Sequence, residues 1–203
     1  MIPPDRAEAA SRSGAVAALL NALISASMFV VATFWTGTEA MGDPERLVEA
    51  ARARPAAFVA QDALKVASVA VSLVLIAGLA RHLRLGRGGL GIGVVGAGVL
   101  SEAFLLANAG LSLAALGGVG AARAPPSIGV AALSALVLGG VWLLLVNTVG
   151  LTRRRLPPVL CAIGLLTGIA SLGVLVLPPM GLASLVLGIA WSVWLGVVLW
   201  RSR

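Results

Sequence analysis

The sequence predicts an all-α integral membrane bundle of six transmembrane helices, both termini cytoplasmic, with a short external amphipathic helix. Three observations predict it. The first is composition: of 203 residues, 59% are apolar and 11% charged, and mean hydropathy is +1.02. Soluble domains are about 45–50% apolar and about 25% charged. A soluble globule is therefore excluded, and so is disorder, because disordered chains are poor in apolar residues. The second is length. A spanning helix needs roughly 20 apolar residues, so six use roughly 120 and leave only short connections. The third is charge placement: the arginines sit between the apolar stretches, which is the topology signal of a membrane protein. A net charge of +7 does not here mean nucleic acid, which would need a basic face outside the bilayer.

Span one covers about residues 14–35 and ends on Trp35, which suits an interfacial aromatic anchor. It is as long as a full span and follows residues of both charge signs, so no cleaved leader is expected. Residues 36–55 are the longest loop. Within it, Asp43-Pro44 is a helix start, with an N-cap followed by Pro at the first helical position. Arg46–Glu49 and Glu49–Arg52 are opposite-charge i,i+3 pairs, weakly opposed by Glu45–Glu49. Leu47, Val48 and Ala51 share a face. This predicts a surface helix over about 44–54, ended by Pro55.

Span two covers about 56–80 and is followed by the acid-free linker Arg81-His82-Leu83-Arg84-Leu85-Gly86-Arg87. Span three covers about 90–116, and a Gly/Pro-rich linker with Arg123 and Pro125-Pro126 follows. Span four covers about 128–151. Arg153-Arg154-Arg155 and Pro157-Pro158 separate it from span five, about 159–177. Pro178-Pro179 makes a tight turn into span six, about 181–200, ending on Trp200 and Arg201. With the N-terminus inside, ten arginines fall in inner segments and four in outer loops, and Lys65 lies within span two. That asymmetry predicts cytoplasmic termini.

Small residues predict helix seams. Gly89, Gly93, Ala97 and Ser101 form one ridge on span three. Ser184, Gly188, Ser192 and Gly196 form one on span six, and Gly164 with Gly168 a shorter one on span five. The run Gly91, Gly93, Gly96, Gly98 imitates a dinucleotide fingerprint but opens an apolar span instead of following a strand, so it reads as packing.

Glu102 is the leading site candidate. It lies mid-span, roughly 18–21 Å from each end by helix rise. A lone carboxylate there costs about 2.5–3.5 kcal/mol on insertion scales. It must face the interior, carry a proton or have a partner. The readings are a functional acid, or a structural one that hydrogen-bonds between helices. Asp62 and Lys65 stand at i,i+3 on span two, either as a local ion pair with Lys65 snorkelling outward or as members, with Glu102, of one outward-opening polar cavity. Gln61, Asn108 and Asn21 are further candidates. Asn147 and Thr148 read as helix–helix contacts, and Trp191 and Trp194 as packing or pocket lining.

His82 is the only histidine and Cys161 the only cysteine. That excludes bis-histidine haem, multi-histidine metal sites and an internal disulfide within the chain. No metal or other cofactor is expected. No histidine at membrane depth is available to activate a serine, so no enzyme is expected.

The order of acidic-basic surface helix, Pro55, Phe58, Asp62, apolar span and Arg81-His82-Leu83-Arg84 resembles a bacterial family of multi-pass membrane proteins known only as a domain of unknown function. The resemblance covers about residues 10–110. It implies a helical bundle and carries over Asp62 alone. The six-helix size, with Ala18, Ala22 and Ala26 at packing spacing, is also similar to substrate-binding membrane subunits of modular vitamin importers. The expected function is transporter-like handling of a small molecule or ion in the cell membrane. The alternative is a non-catalytic subunit of a larger membrane complex. The expected partners are the lipid bilayer and either a second copy or other membrane subunits.

Overall fold

A computed structural model of the chain describes residues 4–37, 49–51, 53–86, 88–117, 124–177 and 179–201. Those residues form six α-helices: α1 Pro4–Val30, α2 Pro55–His82, α3 Gly89–Leu116, α4 Ala124–Thr152, α5 Pro158–Gly173 and α6 Met180–Arg201. There is no strand among the described residues. α1 continues as a π-helical segment, Val31–Gly37, that sequence periodicity did not indicate. Prolines set two of the starts, with Pro55 and Pro158 in the first turns of α2 and α5, where a missing N–H is harmless. Most of the predicted surface helix lies outside the described residues; its last turn is helical, and the Arg54 N–H donates to the Ala50 carbonyl at 2.9 Å.

Each helix packs on the next in sequence, and α1 closes the ring against α6. Opposed residues show that all these neighbours are antiparallel. Ser101 meets Ala135, and Asn108 meets Ile128, across α3 and α4. Asn147 meets Gly164, and Gly140 meets Gly168, across α4 and α5. Ser171 meets Ser184, and Thr167 meets Gly188, across α5 and α6. Gly14 lies between Gly78 of α2 and Leu199 of α6. So α2, α4 and α6 run one way and α1, α3 and α5 the other. The start of α1 and the end of α6 share the arginine-rich end.

Five of the helices are long and apolar enough to cross a membrane. Their outer faces are apolar as well: Leu23, Phe34, Leu90, Ile92, Val130 and Val186 are exposed. A soluble protein does not bare apolar surface on every side; the composition and these faces suit a multi-pass membrane protein. α5 is the short one. The predicted span reaches residue 177, but the helix ends at Gly173 and Val174–Val176 form turns. Pro178 and Pro179 have no N–H to bond the Val174 and Leu175 carbonyls, so the helix cannot continue through them. Sixteen residues rise about 24 Å, short of the about 30 Å hydrocarbon core.

The seams follow the small residues, with one difference from expectation. On α6, Ser184, Ser192 and Gly196 are buried and Gly188 half-buried. A Cβ on Gly196 would lie 2.7 Å from Leu19 of α1. On α5, a Cβ on Gly164 would overlap the Asn147 side chain, and one on Gly168 would lie 2.8 Å from the Gly140 carbonyl oxygen. On α3 the predicted ridge does not pack as a unit. Ser101 is buried and Ala97 half-buried, but Gly89 and Gly93 face outward with open space around them. The packed stripe is instead Gly91, Val94, Gly98 and Ser101, and a Cβ on Gly98 would lie 2.9 Å from both Ile76 and Trp142.

The apolar core fills the arginine-rich end: Leu75, Leu79, Val146, Leu160, Leu195 and Leu199 are among its members. Trp191 is buried in it and meets Trp142 edge-on, ring centroids 5.9 Å apart. Its indole N–H donates to Asn147 Oδ1 at 3.0 Å, while Trp194 is exposed. Trp191 and Asn147 are thus packing groups, and Thr148 faces outward.

Candidate functional site

Buried polar side chains concentrate in the middle of the ring and toward the end opposite the arginines. Two hydrogen-bonded clusters hold half of them, Asp62, Ser68, Ser72, Asn108 and Ser192. In the first, the Lys65 ammonium donates to Asp62 Oδ1 at 2.7 Å and to Asn108 Oδ1 at 2.8 Å. Asn108 Nδ2 donates to the Ile128 carbonyl at 2.9 Å, tying α2, α3 and α4 together. The Asp62 side chain is only 2% exposed and that of Lys65 19%. The pair is therefore drawn inward and closed by a cross-helix amide. Asp62 Oδ2 is buried and has no hydrogen-bond partner.

The second cluster centres on Asn21 of α1. The Ser68 and Ser72 hydroxyls of α2 each approach Asn21 Oδ1 at 3.3 Å as donors. Asn21 Nδ2 donates toward Ser192 Oγ of α6 at 3.5 Å. Glu102 of α3 lies beside the Ser72 hydroxyl. Glu102 Oε2 is buried without a partner. Ser72 thus stands between Glu102 and Asn21 of α1, and Asn21 in turn reaches Ser192 of α6.

The structure brings Asp62, Lys65 and Asn108 together, and Glu102 and Asn21 together, but in two clusters in place of one cavity. The cause is side-chain direction. Helical side chains lean toward their own N-terminus. Lys65 on α2 leans toward Asp62, away from the arginine-rich end. Glu102, on antiparallel α3, leans the other way. The step between clusters is Lys65 to Ser68, three residues along one face of α2. Gln61 is half-buried and takes no part in hydrogen bonds among the described residues.

Sequence reading did not place Ser68, Ser72 and Ser192 in the site, and read Ser192 only as part of the α6 seam. A signal existed for two of them: Asp62, Lys65, Ser68 and Ser72 follow at steps of three, three and four, one continuous helix face. Two shallow surface clefts lie elsewhere. One is lined by Trp35, Arg54 and Pro55, where Arg54 Nη1 donates to the Trp35 carbonyl at 2.9 Å; the other lies between α1 and α2 near Trp200. No group of three or more His, Cys, Asp or Glu that could hold a metal exists among the described residues. Comparison of the chain with protein-family models, with curated proteins and with solved structures finds no match.

Proposed function

We propose that the chain is a six-span membrane protein of transporter-like function, handling a small cation or proton-coupled small molecule through the two polar clusters. α5 and its turn to Leu177 are carried across with their antiparallel neighbours. The observation that carries the reading is the pair of buried carboxylate oxygens without partners, Asp62 Oδ2 and Glu102 Oε2. Ionisable groups inside a membrane are costly and mark ion or proton pathways, and a vacant acceptor on each is where a cation or proton binds.

Ser72 couples protonation to helix contacts. A hydroxyl has one proton to donate. When Glu102 is ionised, Ser72 donates to it and gives up Asn21. When Glu102 carries a proton, Glu102 donates to Ser72, and Ser72 donates to Asn21. The bond between α2 and α1 thus follows the proton on α3. Lys65 serves the first cluster as a tethered counter-ion for Asp62.

The subunit reading has one observation in its favour, the outward Gly89 and Gly93 with open space around them. Native mass spectrometry after gentle solubilisation separates the two. The expected result is the chain alone or as a homo-oligomer with a bound small molecule. Fixed stoichiometry with other polypeptides would establish the subunit reading instead.

The arginine asymmetry supports an orientation with the arginine-rich end, and so both termini, in the cytoplasm. Single-cysteine labelling checks it in a Cys161→Ser background, since Cys161 is itself buried. A cysteine at position 154 is expected to resist membrane-impermeant reagent in intact cells and to label after permeabilisation. Labelling in intact cells would reverse the topology.

A further inference from the structure

Transport through the polar clusters makes no use of the arginine-rich end, where tertiary structure joins two basic runs distant in sequence. Arg153 Nη1 donates to the Leu83 carbonyl at 2.8 Å and to the Arg84 carbonyl at 2.9 Å, across 70 and 69 residues of chain. His82 Nε2 lies 3.3 Å from the Arg155 carbonyl oxygen. The ends of α2 and α4 are thereby stapled side by side.

Both helices end alike. Arg84 has φ 51° and Arg154 φ 53°. The following N–H folds back onto the last turn, Leu85 to Ala80 at 2.8 Å and Arg155 to Gly150 at 2.9 Å. Glycine, or failing that asparagine, fits this left-handed closing position best. The chain places arginine there twice and accepts the strain. Arg153 is engaged by backbone carbonyls. Arg81, Arg84, Arg154 and Arg155 are exposed, and none is paired with a described carboxylate. No aspartate or glutamate follows Glu102 in the chain.

We propose that the stapled ends of α2 and α4 form a binding site for the headgroup of an anionic phospholipid. The patch lies where two apolar helices leave the bilayer, which is the depth of lipid phosphates. Guanidinium forks match phosphate oxygens in bidentate geometry, and basic pockets between spanning helices on the cytoplasmic side hold acidic headgroups. Exposed Leu151 and Val159 stand beside the arginines to meet acyl chains. The ligand class is a phosphodiester lipid with net negative charge, such as phosphatidylglycerol.

The test uses the full chain in an uncharged detergent, titrated with phosphatidylglycerol or phosphatidylcholine and read by native mass spectrometry. Arg84→Asn with Arg154→Asn removes two charges while keeping residues that tolerate the left-handed conformation. The expected result is selective retention of phosphatidylglycerol by the parent chain. The double variant should bind it about tenfold to thirtyfold more weakly, at roughly fivefold per guanidinium. Arg81→Gln with Arg155→Gln, at positions without positive φ, should give a loss of similar size and covers the case in which the first variant misfolds. Equal retention of the two lipids, or unchanged affinity in both double variants, would overturn the proposal. Displacement of the lipid by an equal concentration of inorganic phosphate would overturn it too, in favour of a soluble phosphate ligand.

Discussion

Valine in place of Gly168 is expected to destabilise the bundle by roughly 3 kcal/mol, the upper part of the overpacking range. Gly168 sits where the backbones of α5 and α4 meet. Its added Cβ would lie 2.8 Å from the Gly140 carbonyl oxygen and 2.8 Å from Leu144 Cγ. Leu144 can turn aside; a backbone carbonyl cannot. The two helices would have to separate, and Asn147, whose side chain lies on Gly164 one turn away, would lose its bed. In a bilayer no hydrophobic force draws the helices back, because lipid is as apolar as leucine. Gly93→Val is the matched control. A Cβ there meets nothing within 4 Å, so its unfolding midpoint should stay with the parent chain. Denaturant titration in mixed micelles reads both. A Gly168→Val chain as stable as the Gly93→Val chain would show that α4 and α5 do not cross at these glycines.

The second large effect is on function. Glu102→Gln is expected to abolish cation-dependent proton flux in proteoliposomes, by at least tenfold, with stability changed by less than about 1 kcal/mol, the scale of interhelical hydrogen bonds in membranes. Glutamine keeps the length of the side chain and a hydrogen bond to Ser72. It carries no exchangeable charge, so the alternation at Ser72 stops in one state. Glu102→Leu removes the hydrogen bond as well and should lose flux together with a small amount of stability. The pair discriminates the roles. A purely structural acid predicts that leucine lowers stability while flux persists. A Glu102→Leu chain that is fully active and no less stable would leave the carboxylate without a role and remove the main support of the transport reading.

The element order was legible because length, proline and arginine are local signals. The span predicted over 56–80 is Pro55–His82 in the structure, and that over 181–200 is Met180–Arg201. The early end of α5 at Gly173 follows from Pro178-Pro179, a signal present in the sequence and outweighed by the run of apolar residues before it. Asp62–Lys65 was legible as a pair because both lie on one turn of one helix. Asn108 was legible as a candidate member. That it takes the Lys65 ammonium, and neither Gln61 nor Asn21 does, was not, because that depends on how α3 turns toward α2.

The sequence by itself determined a helical chain too apolar for water, six apolar stretches, five of which are helices of spanning length in the structure, and the position of each buried acid along its helix. It did not determine which way the helices face. In a soluble helix, the polar face marks the outside. In α3 both faces are apolar, so Gly89, Gly93, Ala97, Ser101 and Gly91, Val94, Gly98, Ser101 are equally good seams by spacing. Only the neighbours Ile76 and Trp142, pressed against Gly98, choose the second. The same holds for the site: the antiparallel ring tilts Lys65 and Glu102 to opposite ends, and Asn21, Ser72 and Ser192 join across three helices. Where lipid and interior are alike in polarity, hydrophobicity cannot orient a helix, and close packing and buried hydrogen bonds do so instead.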